Sequence, residues 1–399
     1  MRTLYYRSYQ AVMRIAMKFI PWRDPELIKG EGSLLDLAKL VKEYNIKKIL
    51  IVTDQGIVSA SLLDSLLKEL DKLEVNYFIY DRTVPNPTID NIEEAVHMYE
   101  NNNCEGIIAF GGGSPIDCAK LTGARIAKPN KRIEKMKGLF KVLKTTPPLF
   151  VVPTTAGTGA EATLAAVFSN KETNEKYPVM DTSLIPHVAV LDPLLTIKLP
   201  PHITAETGMD ALTHAVESYI GRSNTNETKQ WSIEATELIF DNIYEAYENG
   251  SNINTRSNMQ TAAYLAGKAF TRAYVGYVHA IAHTLGGFYN IPHGLANAII
   301  LPHVLDYYGE SIYSRLAELA DVIGIGEHSA PNKEKAKLFI DEIRKLNENM
   351  GIPNSISNIQ ENDIPIMVKR ALKEANPLYP VPKILYKEDI TELFRIIKA

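Results

Sequence analysis

Hydrophobic residues follow two different rhythms along this chain, and the change falls near Pro200-Pro201. Before it, residues 48–53 (KILIVT), 76–80 (NYFIY), 106–110 (GIIAF), 149–152 (LFVV) and 187–191 (HVAVL) are apolar without strict alternation. That is the pattern of strands covered on both faces, and helical stretches separate the earlier ones, so a parallel α/β sheet is predicted. Residues 164–169 and 176–180 flank the polar stretch 170–175 and predict a hairpin on the edge of that sheet. After the prolines, apolar positions recur at helical spacing over residues 233–247, 311–323, 332–348 and 389–398, so the carboxyl half is expected to be all-helical.

Length agrees with two units, since 399 residues exceed what one core usually serves. The boundaries expected are 1–200 for the α/β domain and 201–399 for the helical one. Residues 1–20 carry Arg2, Arg7, Arg14 and Lys18 among apolar positions; these charges interrupt any signal-peptide core, and a surface or inter-subunit helix is expected instead. No stretch approaches about 18 uninterrupted apolar residues, so no membrane span is expected. A net charge of −4 gives no electrostatic case for nucleic acid. Cys104 and Cys118 are too few for a disulfide framework and form no Cys-x-x-Cys clip, which fits a reducing cytoplasm.

Chemistry concentrates in two places. Asp210 and His214 stand four apart, on one face of a helix, and His279 and His293 can reach the same spot from a second helix and from the loop ending it. One carboxylate and three imidazoles make a metal site. The pair His279 and His283 could by itself be two satisfied interior histidines, and it lacks the glutamate of a His-Glu-x-x-His protease motif. His187, His202 and His303 are read as structural.

The second place follows the third strand, where Gly111-Gly112-Gly113-Ser114-Pro115-Ile116-Asp117 leads into a helix. Glycines there allow close backbone approach, and the amides of a helix start suit a pyrophosphate. A second loop, residues 153–159 (PTTAGTG), follows the fourth strand at the same carboxyl edge, where open α/β sheets bind ligands. Asp54, just past the first strand, suits a ribose diol and would repel a 2′-phosphate, favouring NAD over NADP. Since the Gly-x-Gly-x-x-Gly fingerprint is absent, the pattern alone says nucleotide, not dinucleotide, and the glycines could be a plain tight turn.

With these residues in hand, the chain resembles the iron-containing (group III) alcohol dehydrogenases. Gly276, His279, His283, Gly286 and Pro292-His293-Gly294, together with Leu191-Asp192, Pro200, Asp210-Ala211-Leu212 and Glu217, look like that family's two signature motifs. Residues 111–120 and 153–163 resemble its cofactor loops. The resemblance runs from about residue 30 to the end and leaves residues 1–24 as an amino-terminal extension. It implies a Rossmann-like parallel-sheet dinucleotide-binding domain followed by an all-helical metal-binding domain, in a dehydroquinate synthase-like architecture with the active site in the cleft.

Carried over by position, the resemblance implies Asp210, His214, His279 and His293 as ligands of ferrous iron or, in some members, zinc. It implies Asp54, Asn86, Gly112, Gly113, Ser114, Asp117, Thr154, Thr155, Thr158, Thr163 and Lys176 as the NAD-binding set. Phe270 falls where members line the substrate pocket, and His283 is the candidate proton relay. The reaction implied is hydride transfer between a primary alcohol or its aldehyde and NAD(H) by a homodimer or higher oligomer. Glycerol dehydrogenase-like diol oxidation, a dehydroquinate synthase-like lyase and a catalytically silent nucleotide- or metal-binding scaffold are the alternatives.

Overall fold

The computed structural model describes residues 1–170 and 175–399. The chain opens with helix α1 (Arg2–Ala16) and then builds an α/β unit over Trp22–Lys198. In order this unit holds β1 (Glu26–Lys29), α2 (Ser33–Glu43), β2 (Lys48–Val52), α3 (Gln55–Ser59), α4 (Asp64–Lys72), β3 (Asn76–Tyr80), α5 (Ile89–Asn101), β4 (Gly106–Gly111), α6 (Gly113–Ala127), β5 (Gly138–Leu139), β6 (Leu149–Pro153), β7 (Ala165–Asn170), β8 (Glu175–Met180) and β9 (Val188–Leu191). Six strands form one all-parallel sheet in the order β1-β9-β6-β4-β2-β3.

Successive residues of each strand enter opposite cores, which is why the runs show no polar alternation. Leu50, Val52, Ile107, Ala109 and Val151 cluster with Ile92 and Ala95 of α5 and with Ile116, Ala119 and Leu121 of α6. Ile49, Ile51, Ile108, Phe110, Phe150 and Val152 cluster with Leu34 and Leu37 of α2 and with Leu66 and Leu70 of α4. Each large aliphatic side chain buried this way contributes roughly 1.5–3 kcal/mol, so neither face tolerates a charge.

The five strands expected from the apolar runs are all in this sheet. Its sixth, β1, escaped notice because only four residues (ELIK) form it, three of them exposed, and it pairs on one side alone. The predicted hairpin forms as β7 antiparallel to β8, but not on the edge of the main sheet: it belongs to a separate three-stranded sheet, β5-β8-β7. Its third strand comes from the basic stretch 128–144. Despite its charges, that stretch buries Ile133, Met136 and Val142 completely. The middle of the hairpin turn, residues 171–174, lies outside the described residues.

The second unit comprises Leu199–Ala399 together with Met1–Pro21. Its helices are α7 (Pro201–Ile220), α8 (Asn226–Glu248), α9 (Ile253–Ala273), α10 (Tyr277–Tyr289), α11 (His293–Tyr308), α12 (Tyr313–Val322), α13 (Asn332–Asn349), α14 (Ile364–Ala375) and α15 (Lys387–Ile397). The amino-terminal extension was expected with the α/β domain; it packs in the helical unit instead, because Arg7 and Gln10 donate to backbone carbonyls between residues 377 and 382. α7 is buried along nearly its whole length. Small residues let its neighbours close on it: Ala215, Ala235 and Ala266 meet where α7, α8 and α9 cross, and a Cβ at Gly208 would stand 2.7 Å from Ile243 Cδ1. Gly294 likewise lets α11 press on α7, since any side chain there would collide with the Glu206 carbonyl oxygen.

Among the described residues no helix is long and apolar enough to cross a membrane. Cys104 and Cys118 are both free and buried.

One partly buried histidine gives the α/β unit a built-in acid sensitivity. Leu149 N–H donates to His187 Nδ1 at 3.1 Å, and burial, helped by the charge of Arg23, pushes this imidazole down to about 4 from its ordinary 6.5. Above 6.5 the ring is neutral folded or unfolded. As pH falls from 6.5 toward about 4, the unfolded chain takes up a proton that the native ring refuses, so stability drops, by less than about 1.4 kcal/mol per pH unit because solvent screens this partly exposed ring. His187→Gln keeps an acceptor for Leu149 N–H without titrating. Denaturant unfolding of chelator-treated protein across that window should show a shallower pH dependence in the variant; an unchanged slope would clear His187.

Candidate active site

Three buried polar residues of the helical unit share one face of α7. Asp210, His214 and Glu217 follow at i, i+4 and i+7, all nearly inaccessible. Against them sits the start of α10, and the close α7–α11 contact at Gly294 brings in His293, the first residue of α11 rather than part of the preceding loop. Donor atoms of Asp210, His279 and His293 lie within 4.8 Å of one another: Asp210 Oδ1 is 3.9 Å from His279 Nε2 and 3.6 Å from His293 Nε2.

His214 stands outside that set of donor atoms. Its ring stacks on His279, with centroids 4.4 Å apart, and on Phe270, 4.2 Å apart and nearly coplanar. Phe270 of α9 is thus beside the cluster. Burial pushes His214 down to about 3 and holds His279 well below its ordinary value, so both rings are neutral, the form that binds metals.

Two residues at this centre had no role in the sequence reading. Glu217 accepts Gly276 N–H at 2.8 Å, Val278 N–H at 2.9 Å and His279 Nδ1 at 2.6 Å. It therefore caps the first turn of α10 and fixes the His279 tautomer with the proton on Nδ1, leaving Nε2 to face Asp210. Burial raises Glu217 to about 7, opposed by those same N–H donors. Asn297, one turn along α11 from His293, donates from Nδ2 to Asp210 Oδ1 at 2.7 Å and lies 3.3 and 3.2 Å from the Nε2 atoms of His279 and His293. Spacing could have flagged both, since each stands three or four residues from a ligand candidate on the same helix.

His283 is one turn beyond His279. Its Nδ1 is 2.7 Å from Glu374 Oε1, an oxygen that also accepts from Tyr379 OH at 2.9 Å, and its ring stacks on His293 with centroids 5.0 Å apart.

The donor chemistry suits a divalent cation of the iron or zinc kind: one carboxylate and neutral imidazoles, with His214 Nδ1 buried and unpartnered beside them.

The cofactor candidates lie in the α/β unit, where β2, β3, β4 and β6 run parallel and end on the same edge. Gly112 caps α6 with no side-chain hydrogen bond, so the first amides of this 15-residue helix are free of a local partner. A Cβ at Gly113 would stand 3.0 Å from Thr158 Oγ1, and one at Gly112 would stand 3.6 Å from Thr155. Gly111 holds φ +144°, a conformation for which only glycine is suited, and a Cβ there would reach within 3.5 Å of Asp54. Asp54 itself caps α3 through Ile57 N–H. Asn86, at φ 56°, donates its N–H to Ser114 Oγ at 3.1 Å, and Thr154 N–H donates to Gly111 O at 3.0 Å. Asp54, Asn86, the glycine turn and the 153–159 loop are thus brought together.

Asp117 and Thr163, also of the expected set, make contacts within the unit. Asp117 accepts Val167 N–H at 3.1 Å, tying α6 to β7; burial pushes it up to about 7. Thr163 is buried and accepts Lys120 Nζ at 2.8 Å, while Lys120 also donates to the Thr163 and Ala165 carbonyls. Lys176 sits half-buried on β8.

Family profiles described as "Iron-containing alcohol dehydrogenase" and "Fe-containing alcohol dehydrogenase family, C-terminal" match residues 24–193 and 204–397. A 1,3-propanediol dehydrogenase of Citrobacter freundii is 37% identical over 370 residues, spanning 92% of this chain and 95% of its own length. An NAD-dependent methanol dehydrogenase of Bacillus methanolicus is 32% identical over 379 residues, 94% and 98% of the two chains. The solved alcohol dehydrogenase of Oenococcus oeni superposes with a TM-score of 0.90 at 37% identity, covering 94% of this chain and 98% of its own. With both halves matched and whole-length relatives above 30% identity, the chain belongs to the iron-containing alcohol dehydrogenase family.

Proposed function

We propose that the chain is an NAD-dependent dehydrogenase that interconverts primary alcohols and aldehydes at a divalent metal held by Asp210, His279 and His293, with His214 as fourth ligand. The observation that carries this is the convergence of one carboxylate and two imidazole donors within 4.8 Å on three different helices, backed by Glu217. When bound, ferrous iron or zinc supplies Lewis-acid polarisation of the alcohol or carbonyl oxygen, and nicotinamide supplies hydride exchange with the carbon that bears it. Ferrous iron is the reading for the cell, on the family's account.

The chain's own residues do the rest. Asp210 contributes the negative charge that offsets a dication, and Glu217 holds His279 with Nε2 free for coordination. His283, its Nδ1 committed to Glu374, keeps Nε2 free to take or give the proton of the alcohol oxygen. The uncapped start of α6, with Gly112, Gly113 and Ser114, offers amides to a pyrophosphate, and Asp54 offers a carboxylate to a ribose diol. Thr154, Thr155 and Thr158 border that turn; Asn86 buttresses it through Ser114. Free buried thiols fit a cytoplasmic location, and the one-sided pairing of β1 fits a homodimer or higher oligomer.

NADH oxidation by anaerobically purified protein over a panel of short aldehydes is expected to need ferrous iron or zinc and to stop with chelator, one NADH consumed per aldehyde reduced. Aldehyde-independent NADH binding without turnover under any metal would overturn the reading, as would substrate loss with no change in NADH. Asp210→Ala and His279→Ala should lose bound metal and turnover yet retain NADH binding by fluorescence. Glu217→Gln should weaken metal affinity by about 10–100-fold. Metal analysis that finds wild-type occupancy in any of the three removes that residue from the site. Light scattering should return at least twice the 44.5 kDa of one chain, and a monomer would remove the oligomer reading.

A further inference from the structure

We infer that helix α1 is a clamp that fixes the backbone carrying Tyr379 and, through Tyr379 and Glu374, positions His283. This rests on the reading of His283 as the proton-handling residue.

The segment in question runs Asn376-Pro-Leu-Tyr-Pro-Val-Pro382. Three prolines in six residues remove three N–H donors and bar the stretch from helix or sheet pairing, so its carbonyls need donors from elsewhere. α1 supplies most of them. The Arg7 guanidinium donates from Nη1 to Val381 O at 2.7 Å and from Nη2 to Pro382 O at 2.8 Å. Gln10 donates from Nε2 to Tyr379 O at 2.7 Å and to Pro377 O at 3.2 Å, while its Oε1 accepts Arg7 Nη1 at 2.9 Å, which locks the two donors to each other. Gln10 is the one residue of α1 that is fully buried; Tyr6, Tyr9 and Met13 on the same face are partly buried, while Leu4, Tyr5, Val12 and Ile15 stay exposed. Pro380 O takes Arg222 N–H, and Tyr379 O also takes Val381 N–H at 2.9 Å.

At its other end the segment delivers the buried Tyr379 hydroxyl to Glu374 Oε1, the same oxygen that His283 Nδ1 meets. Both Glu374 and His283 are partly exposed, their side chains 26% and 23% accessible, so neither is immobilised by packing alone. Tyr379 is what keeps the carboxylate turned inward. The family match begins only at residue 24, so this support belongs to residues that lie before it.

The test uses the full-length, metal-loaded Arg7→Ala/Gln10→Ala protein beside Tyr379→Phe, the triple variant and His283→Ala. The double variant is expected to keep wild-type metal content, NADH affinity and aldehyde KM, and to lose about tenfold in kcat. Hydrogen exchange at the amides of Leu378, Tyr379 and Val381 should quicken. In the Tyr379→Phe background the same pair of changes should cost less than about twofold, because both act on one contact. A double variant with wild-type kcat, or one whose loss adds in full to that of Tyr379→Phe, overturns the clamp while leaving the site reading intact. Wild-type kcat in His283→Ala would sink the proton-handling role itself, and the clamp's function with it.

Discussion

The geometry of the metal-binding half turns on one buried carboxylate. Glu217 does the work of a helix cap from another helix: two of the N–H groups that α10 cannot satisfy internally point at it, and so does the imidazole one turn in. An uncompensated carboxylate at that depth would cost several kcal/mol, and three donors are what make it tolerable. The arrangement fixes the entry of α10, the rotamer of His279 and the tautomer of its ring together. It also dictates Gly276, because a Cβ there would lie 2.5 Å from Glu217 Oε1. Local structure and chemistry are therefore not separable at this point.

The α/β unit solves a different problem. The carboxyl edge of its sheet is built of glycine and threonine turns, with Asp54 beside them. Strands buried on both faces give a rigid parallel sheet, and the loops after β2, β4 and β6 inherit that rigidity. Lys120 shows how the edge is braced from beneath: a fully buried ammonium gathers two carbonyls and a hydroxyl at the start of β7. Burial lowers it to about 8, which limits the cost of placing it there.

Much of this was legible in the residues. Apolar runs marked five of the six strands because strands covered on both faces leave no polar alternation, and the four-residue spacing of Asp210 and His214 put both on one face of α7. Other features were hidden for physical reasons. β1 is short and half wet, so it carries no hydrophobic signature. The small second sheet depends on a two-residue strand inside a lysine-rich stretch. Whether an imidazole donates or stacks depends on side-chain direction, which is how His214, equal to His279 by spacing, stands against Phe270 outside the donor set. α1 was expected with the wrong unit because polar fork contacts to distant carbonyls leave no periodic trace. Glu217 and Asn297 were visible as positions but not as partners, since their roles exist only when α7, α10 and α11 meet.

The burial of α7 has a consequence for how the molecule breathes. Asp210, His214 and Glu217 hang from a helix enclosed along its length, so no local fraying releases them; opening that part of the site means unfolding the whole α7–α8–α9 stack. His283 and Glu374 are instead partly exposed, their side chains 23% and 26% accessible. The α7 groups and the His283–Glu374 pair thus differ in how much structure must open before solvent reaches them.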